Sequence, residues 1–210
     1  MNQVFTSTEL ATCPSILDGM TNLELEQERI RFIRFIYHIC MVLQLNANVP
    51  ALAATYWSIF FTKQSIMQFD PTICAQACIL IACKTTGNKT RVQEVYLAAH
   101  HIRNSREGEP HVPSNHDYWR GKQYIILMEL AILRELRFGT HIETVHDYVL
   151  LFAREIECSV ATAHLAYYIA NDSLCSSVTI LYQPHIVACA CLCLALERTK
   201  NERTGNQLNQ

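Results

Sequence analysis

Charge is scarce in this sequence. Of 210 residues, 17% are Asp, Glu, Lys or Arg while 50% are apolar, against about 25% charged in an ordinary soluble domain. With so little solvating surface, part of the apolar area is expected to meet a partner. A surplus of one sign is missing too: 17 basic against 19 acidic residues leave a formal net charge of −2. No block of about five or six like charges occurs, and nucleic-acid-binding domains are usually strongly basic, so a direct nucleic-acid partner is not expected. Long apolar runs are also absent. The longest, Ile186 to Leu196, has eleven residues, short of the roughly 18 that a membrane span needs. Met1 to Thr8 is uncharged and polar, unlike the basic start of a signal peptide. The expectation is a soluble intracellular protein, nuclear or cytoplasmic, with no membrane partner.

Catalytic patterns are lacking as well. No G-x-S-x-G, P-loop, H-E-x-x-H or G-x-G-x-x-G occurs, so no catalytic residues, cofactor or small-molecule substrate are expected, and the chain reads as a non-enzyme. The ten cysteines make up less than the roughly 8–10% of a secreted disulfide scaffold. Most lie in periodic apolar segments, as Cys74, Cys78 and Cys83 do, and read as reduced core residues. Cys189, Cys191 and Cys193 alternate, which on a helix scatters their thiols over different faces, and they too read as core. Cys74 with Cys78, and His141 with His146, offer half of a metal site at best, so no metal is expected.

What is present is helical periodicity with legible starts and stops, and no strand-like alternation. The pattern predicts helices over about Leu23–Leu45, with Ile33, Ile36, Tyr37, Cys40 and Leu43 as one stripe, and from Asn48 to about Lys63. A third is predicted from the Asp70–Pro71 cap to the stop at Gly87, a fourth from a Thr90/Gln93 capping box to about Ile102, and a fifth from Ser114/Asp117 to about Arg137. A sixth starts at a Thr140/Glu143 box, a seventh covers about Ser159–Ala170, and an eighth runs from Pro184 to about Arg198. The fold class is therefore all-α. Pro71 to Lys84, shifted by 113 positions, aligns with Pro184 to Glu197 at six identities in fourteen. Both segments are rich in Ala and Cys, small residues that let neighbours crowd a central helix. The chain reads as a duplicated helical domain whose second half has its helices one to three but no fourth and fifth. The expected segments are a flexible 1–22, a first repeat over 23–138, an incomplete second over 139–198 and a frayed polar tail over 199–210.

Arg31 in the first helix, Ile79-Leu-Ile-Ala-Cys-Lys84 ending the third and Leu127-Met-Glu129-Leu-Ala-Ile-Leu-Arg-Glu-Leu-Arg-Phe138 in the fifth, in this order and spacing, resemble the cyclins. The resemblance covers about Glu28 to Arg198. It implies tandem five-helix cyclin boxes, each with a central third helix. Gly108-Glu-Pro110 before Tyr118-Trp119, Leu136-Arg-Phe138 and Tyr182-Gln-Pro-His-Ile186 look most like the transcription-type cyclins, nearest cyclin Q, also called cyclin M. The short second box then suggests a short isoform, a fragment or a divergent member.

The resemblance implies a regulatory subunit of a cyclin-dependent Ser/Thr kinase, in transcription or cell-cycle control, with cyclin-dependent kinase ten as the partner that the likeness to cyclin Q suggests. It places Lys84, Thr85, Glu129 and Leu133 on the kinase and makes Arg31 an internal staple. Two family features differ: Thr86-Gly87 stands where an acidic pair usually follows the Lys, and Ser58 where many members have an acidic or His partner for the first-helix Arg.

Read from chemistry alone, these residues allow other roles. Lys84 suits a helix C-terminus. Glu129 lies at the border of an apolar stripe, Ile126, Leu130 and Leu133. Arg31 could pair with Glu28 or Gln27 at the surface. Tyr118, Trp119 and Arg120 could stack a base, though they suit the amphipathic start of a core helix. The alternative function is a cyclin-fold DNA-binding factor resembling transcription factor IIB, which needs a basic face that the dispersed charges do not supply. A helical enzyme with an unrecognised site is the third reading.

Overall fold

A computed structural model describes residues 4–104 and 113–207, with side chains up to residue 200. Among the described residues every regular element is a helix. Thr6–Ile142 forms one compact unit, and the residues from Glu143 onward, together with Val4 and Phe5, form a second.

The first unit contains α1 (Ser7–Ala11), α2 (Pro14–Leu17), α3 (Asn22–Val42), α4 (Asn48–Lys63), α5 (Pro71–Thr85), α6 (Val92–Asn104) and α7 (Asn115–Glu135). Helix α5 is central and packs on α3, α4, α6 and α7. Every residue from Cys74 to Cys83 is buried, so the Ala and Cys positions let four helices approach while Ile79, Leu80 and Ile81 each contribute about 1.5–3 kcal/mol by burial. Its start is fixed by Asp70, whose Oδ1 accepts the Thr72 N–H at 2.8 Å. Its end is fixed by Gly87 at φ +73°, a conformation glycine adopts without strain. Aromatic packing joins α3 to α4, where Phe32 stacks on Trp57 at 5.7 Å and Trp57 meets Phe61 at 4.7 Å.

Several boundaries differ from the sequence reading. The segment before Asn22, expected to be flexible, forms α1 and α2, because Cys13 and Ser15 are buried and Ser15 Oγ accepts the Ile66 N–H at 3.0 Å. Those partners lie some fifty residues away, beyond any local pattern. Helix α6 begins two residues after Thr90, and the Glu94 carboxylate accepts the Arg91 N–H at 2.9 Å, so the Thr90/Gln93 box does not form.

The second unit holds α8 (Val145–Glu155), α9 (Val160–Leu174), α10 (Val178–Leu181) and α11 (Pro184–Gln207). The box opening α8 is Thr144 with Asp147, whose Oδ2 accepts the Thr144 N–H at 2.8 Å, rather than Thr140 with Glu143. Helix α11 packs on α8, α9 and α10, burying Val187, Ala188, Cys191, Leu192 and Ala195. Its other face is open, with Ile186 and Leu194 about half exposed. Cys189 and Cys193 are on that open side, which corrects the expectation that all three alternating cysteines are core. Helix α11 also runs on through residues read as a polar tail, since no Pro interrupts it and Glu197, Arg198 and Lys200 are good helix formers.

Candidate functional site

Two helix surfaces of the first unit converge where α5 ends and α7 passes it. Lys84, in the last turn of α5, donates its ammonium to Glu129 Oε1 in the middle of α7. The Lys84 side chain is 65% exposed and that of Glu129 14%. One partner of the pair is therefore anchored while the other reaches into solvent. Thr85 is held inward: its hydroxyl donates to the Ile81 carbonyl at 2.9 Å and lies 3.4 Å from the Tyr56 phenol. That phenol donates to the Thr140 carbonyl at 2.5 Å, and burial pushes its pKa up to about 12.

Helix α7 is apolar on two sides. Ile125, Ile132 and Leu136 are buried against the unit's interior. The other stripe points outward, with Trp119 57%, Ile126 47%, Leu127 64% and Leu130 40% exposed. Leu133 is half-buried at its edge. The sequence reading found the stripe Ile126, Leu130, Leu133 with Glu129 on its border, but an apolar stripe reads the same whether it faces a core or a partner. Only packing reveals that this one is uncovered. Helix α7 is locked from behind: Lys63 donates to the Glu135 carbonyl at 3.0 Å and Gln64 to the Glu135 carboxylate at 2.8 Å. Lys63 neutralises the negative end of the helix dipole, a role that pattern reasoning missed.

Of the other residues singled out, Tyr118 packs edge-on against Tyr96 at 5.6 Å, while exposed Trp119 carries the Lys122 ammonium 4.7 Å from its ring. Arg31 is 71% exposed and pairs with Glu28 at 3.3 Å, so the internal-staple role is not what it does here. The buried arginine is Arg29, 4% exposed, with Glu26 Oε2 at 3.6 Å and no hydrogen-bond partner for Nε or Nη1 among the described residues. Burial lowers its pKa. A signal was available, because Arg29 stands four residues before Ile33 and three before Phe32, inside the buried stripe of α3. Ser58 is buried as well, and its hydroxyl has no partner among the described residues.

Among the described residues no three His, Cys, Asp or Glu side chains could hold a metal together. Burial pushes the Cys40 thiol up to about 12 and Cys74 well above its ordinary value, which keeps both protonated and unreactive. His146 is buried, hydrogen-bonded to Asn171 Oδ1 at 2.7 Å through Nε2, with its pKa lowered chiefly by burial. No described helix is long and apolar enough to cross a membrane.

Residues 1–141 match the family described as Cyclin, N-terminal domain. The chain belongs to the cyclin family. Its curated relatives include cyclin-L1 of Danio rerio, 28% identical over 92% of this chain and 40% of the relative, and human cyclin-L1, 28% identical over 89% and 36%. The cyclin therefore spans about two fifths of the length of the relatives it matches. These are transcription-type cyclins, as expected; a particular likeness to cyclin Q is not established by them. Among solved structures, a chain of the yeast RNA polymerase II CTD kinase CTDK-1 complex matches at TM-score 0.74 and 19% identity over 94% of this chain and 64% of that one. A chain of the Chaetomium thermophilum CAK complex bound to ATP-γ-S matches at 0.71 and 17%, over 95% and 67%. These likenesses give the all-α cyclin fold. Of the subfamily motifs, Tyr182-Gln-Pro-His-Ile186 forms the junction of α10 and α11, and Gly108-Glu-Pro110 lies outside the described residues.

Proposed function

We propose that this cyclin is the regulatory, non-catalytic subunit of a cyclin-dependent Ser/Thr protein kinase, acting in transcription or cell-cycle control. In this reading residues 23–138 are the first cyclin box and 139–198 belong to the second, and the protein works in the nucleus or cytoplasm. The observation that carries it is the uncovered apolar stripe of α7, with the Lys84–Glu129 pair on its border. A mobile apolar helix of a kinase is a fitting partner for such a stripe. Its own polar groups would compete for Lys84, the exposed member of the pair, and Leu133 and the Thr85 turn complete the contact. Packing the kinase αC helix inward would align the kinase's own Lys–Glu pair and Mg²⁺ site, so the cyclin supplies order and no reacting group.

The test is reconstitution. The purified cyclin is mixed with a panel of purified cyclin-dependent kinases, starting with cyclin-dependent kinase ten, and peptide phosphorylation is followed. Activation of one kinase, lost on Leu130→Asp, is the expected result. A panel in which no kinase binds or gains activity would refute the proposal.

A further inference from the structure

The open side of α11 carries two thiols in one row. Cys189 and Cys193 are both exposed, while Cys191 between them is buried in the core of the second unit. On a helix, four residues amount to about 6 Å along the axis and about 40° around it, so both side chains leave the same face. Extended by one step of four in each direction, the row starts at His185 and ends at Glu197, and both of these are exposed too. Ile186 and Leu194, each about half exposed, flank it.

A pair of thiols at this spacing is half of a structural zinc site, since zinc takes four ligands in a tetrahedron and sulfur suits it well. No third His, Cys, Asp or Glu completes the set among the described residues of the chain, so the remaining ligands must come from another molecule. The row itself indicates which one. Its order, His185, Cys189, Cys193 and Glu197 at even spacing, is complementary to its own reverse. An antiparallel second copy sets His185 against the second copy's Glu197 and Cys189 against the second copy's Cys193, whereas a parallel copy would set carboxylate against carboxylate. A two-fold axis midway between Cys189 and Cys193 makes every contact twice, as closed dimers do. Ile186 then falls nearly level with the second copy's Leu194 on the same flank, which covers the apolar face. Ala190 and the two cysteines are small, so the helix axes can approach to about 8 Å. Zn–S bonds of about 2.3 Å place the four sulfurs about 3.8 Å apart, within reach of side chains on facing helices.

We propose that α11 pairs antiparallel with the α11 of a second copy of this chain, and that Cys189 and Cys193 of both copies bind one zinc ion between them. Each thiol gives up its proton to solvent as the metal binds. The proposal does not rest on the kinase reading, because every residue in it belongs to the second unit.

The experiment titrates the whole reduced chain with Zn²⁺ and, in parallel, with Co²⁺, whose visible bands distinguish tetrahedral thiolate coordination, while light scattering follows the molecular mass. The expected result is one metal ion per two chains, a doubling of mass as metal is added, and a return to monomer with chelator. Cys189→Ser/Cys193→Ser should lose the metal and the metal-dependent dimer together. Both positions are exposed, so the melting temperature without metal should match that of the parent, and Cys189→Ala/Cys193→Ala repeats the test without a hydroxyl. Glu197→Lys should keep the metal ratio and raise the dissociation constant of the dimer about three- to tenfold. One metal ion per chain in a monomer, cobalt without thiolate bands, or a metal-dependent dimer that survives the double serine substitution would each overturn the proposal.

Discussion

Reversing the charges of Lys84 and Glu129, singly and together, separates a contact made within the chain from one made to a partner. Within the chain the pair is worth little. Lys84 is 65% exposed, and an ion pair in such a solvated place contributes about 0.2–1 kcal/mol. Glu129→Lys removes that contribution and sets two ammonium groups together, for a total of about 1–2 kcal/mol. A chain of this size should then melt lower by only a few degrees, at about 2–4 °C per kcal/mol, with unchanged helical content. Kinase affinity should fall far more, by about 2–4 kcal/mol or roughly 30- to 1000-fold, because the substitution reverses the charge that the partner meets on the border of the apolar contact. The double variant Lys84→Glu/Glu129→Lys restores an internal pair in the opposite sense. Calorimetric titration against the activated kinase, alongside thermal melts of all four proteins, gives the cycle. The expected outcome is that the swap recovers most of the melting temperature and little of the affinity. If it recovers both together, the pair is an internal clasp and the kinase does not touch it.

Four more expectations rest on other parts of the molecule. Arg29→Met, which replaces a buried guanidinium with orphaned Nε and Nη1 by an apolar chain of similar length, should be neutral or should stabilise by up to about 1–3 kcal/mol in urea unfolding; a loss above that size would show that the charge is satisfied in solution. His146 has its pKa lowered from 6.5 by burial, so the unfolded chain binds its proton first and stability should fall as pH drops below about 6.5; His146→Gln should flatten that slope in acid melts, and an unaltered slope would exonerate the residue. Amide exchange should be slower in α5, which is surrounded, than in α11, where Ile186 and Leu194 are half exposed, and equal protection in a monomer would contradict the open face. A thiol reagent should label Cys189 and Cys193 in the folded protein before Cys40, Cys74 or Cys78, and labelling of all at one rate would mean that the fold opens globally first.

Helix existence was legible in the sequence because it is set locally. Asp70 before Pro71, Ser114 before Asp117 and Gly87 at a positive φ each act within one turn of their helix. The repeated Ala and Cys positions of Pro71–Lys84 likewise announced a surrounded helix, since only small residues let four neighbours approach it. The family resemblance singled out Lys84 and Glu129 as kinase contacts, but their meeting with each other, across 45 residues, is visible only in the structure. What the sequence left undecided is which apolar surface faces inward. Helix α7 carries two apolar stripes of similar character, and the choice of Ile125, Ile132 and Leu136 for the interior is made by α5 and α6 packing against it. The same holds for Arg29 over Arg31, and for α1 and α2, ordered by Ser15 bonding to Ile66. Periodicity records that a face is apolar or a group polar, whereas coverage by another helix and the satisfaction of a buried hydrogen bond depend on residues distant in the chain, and these only the tertiary structure decides.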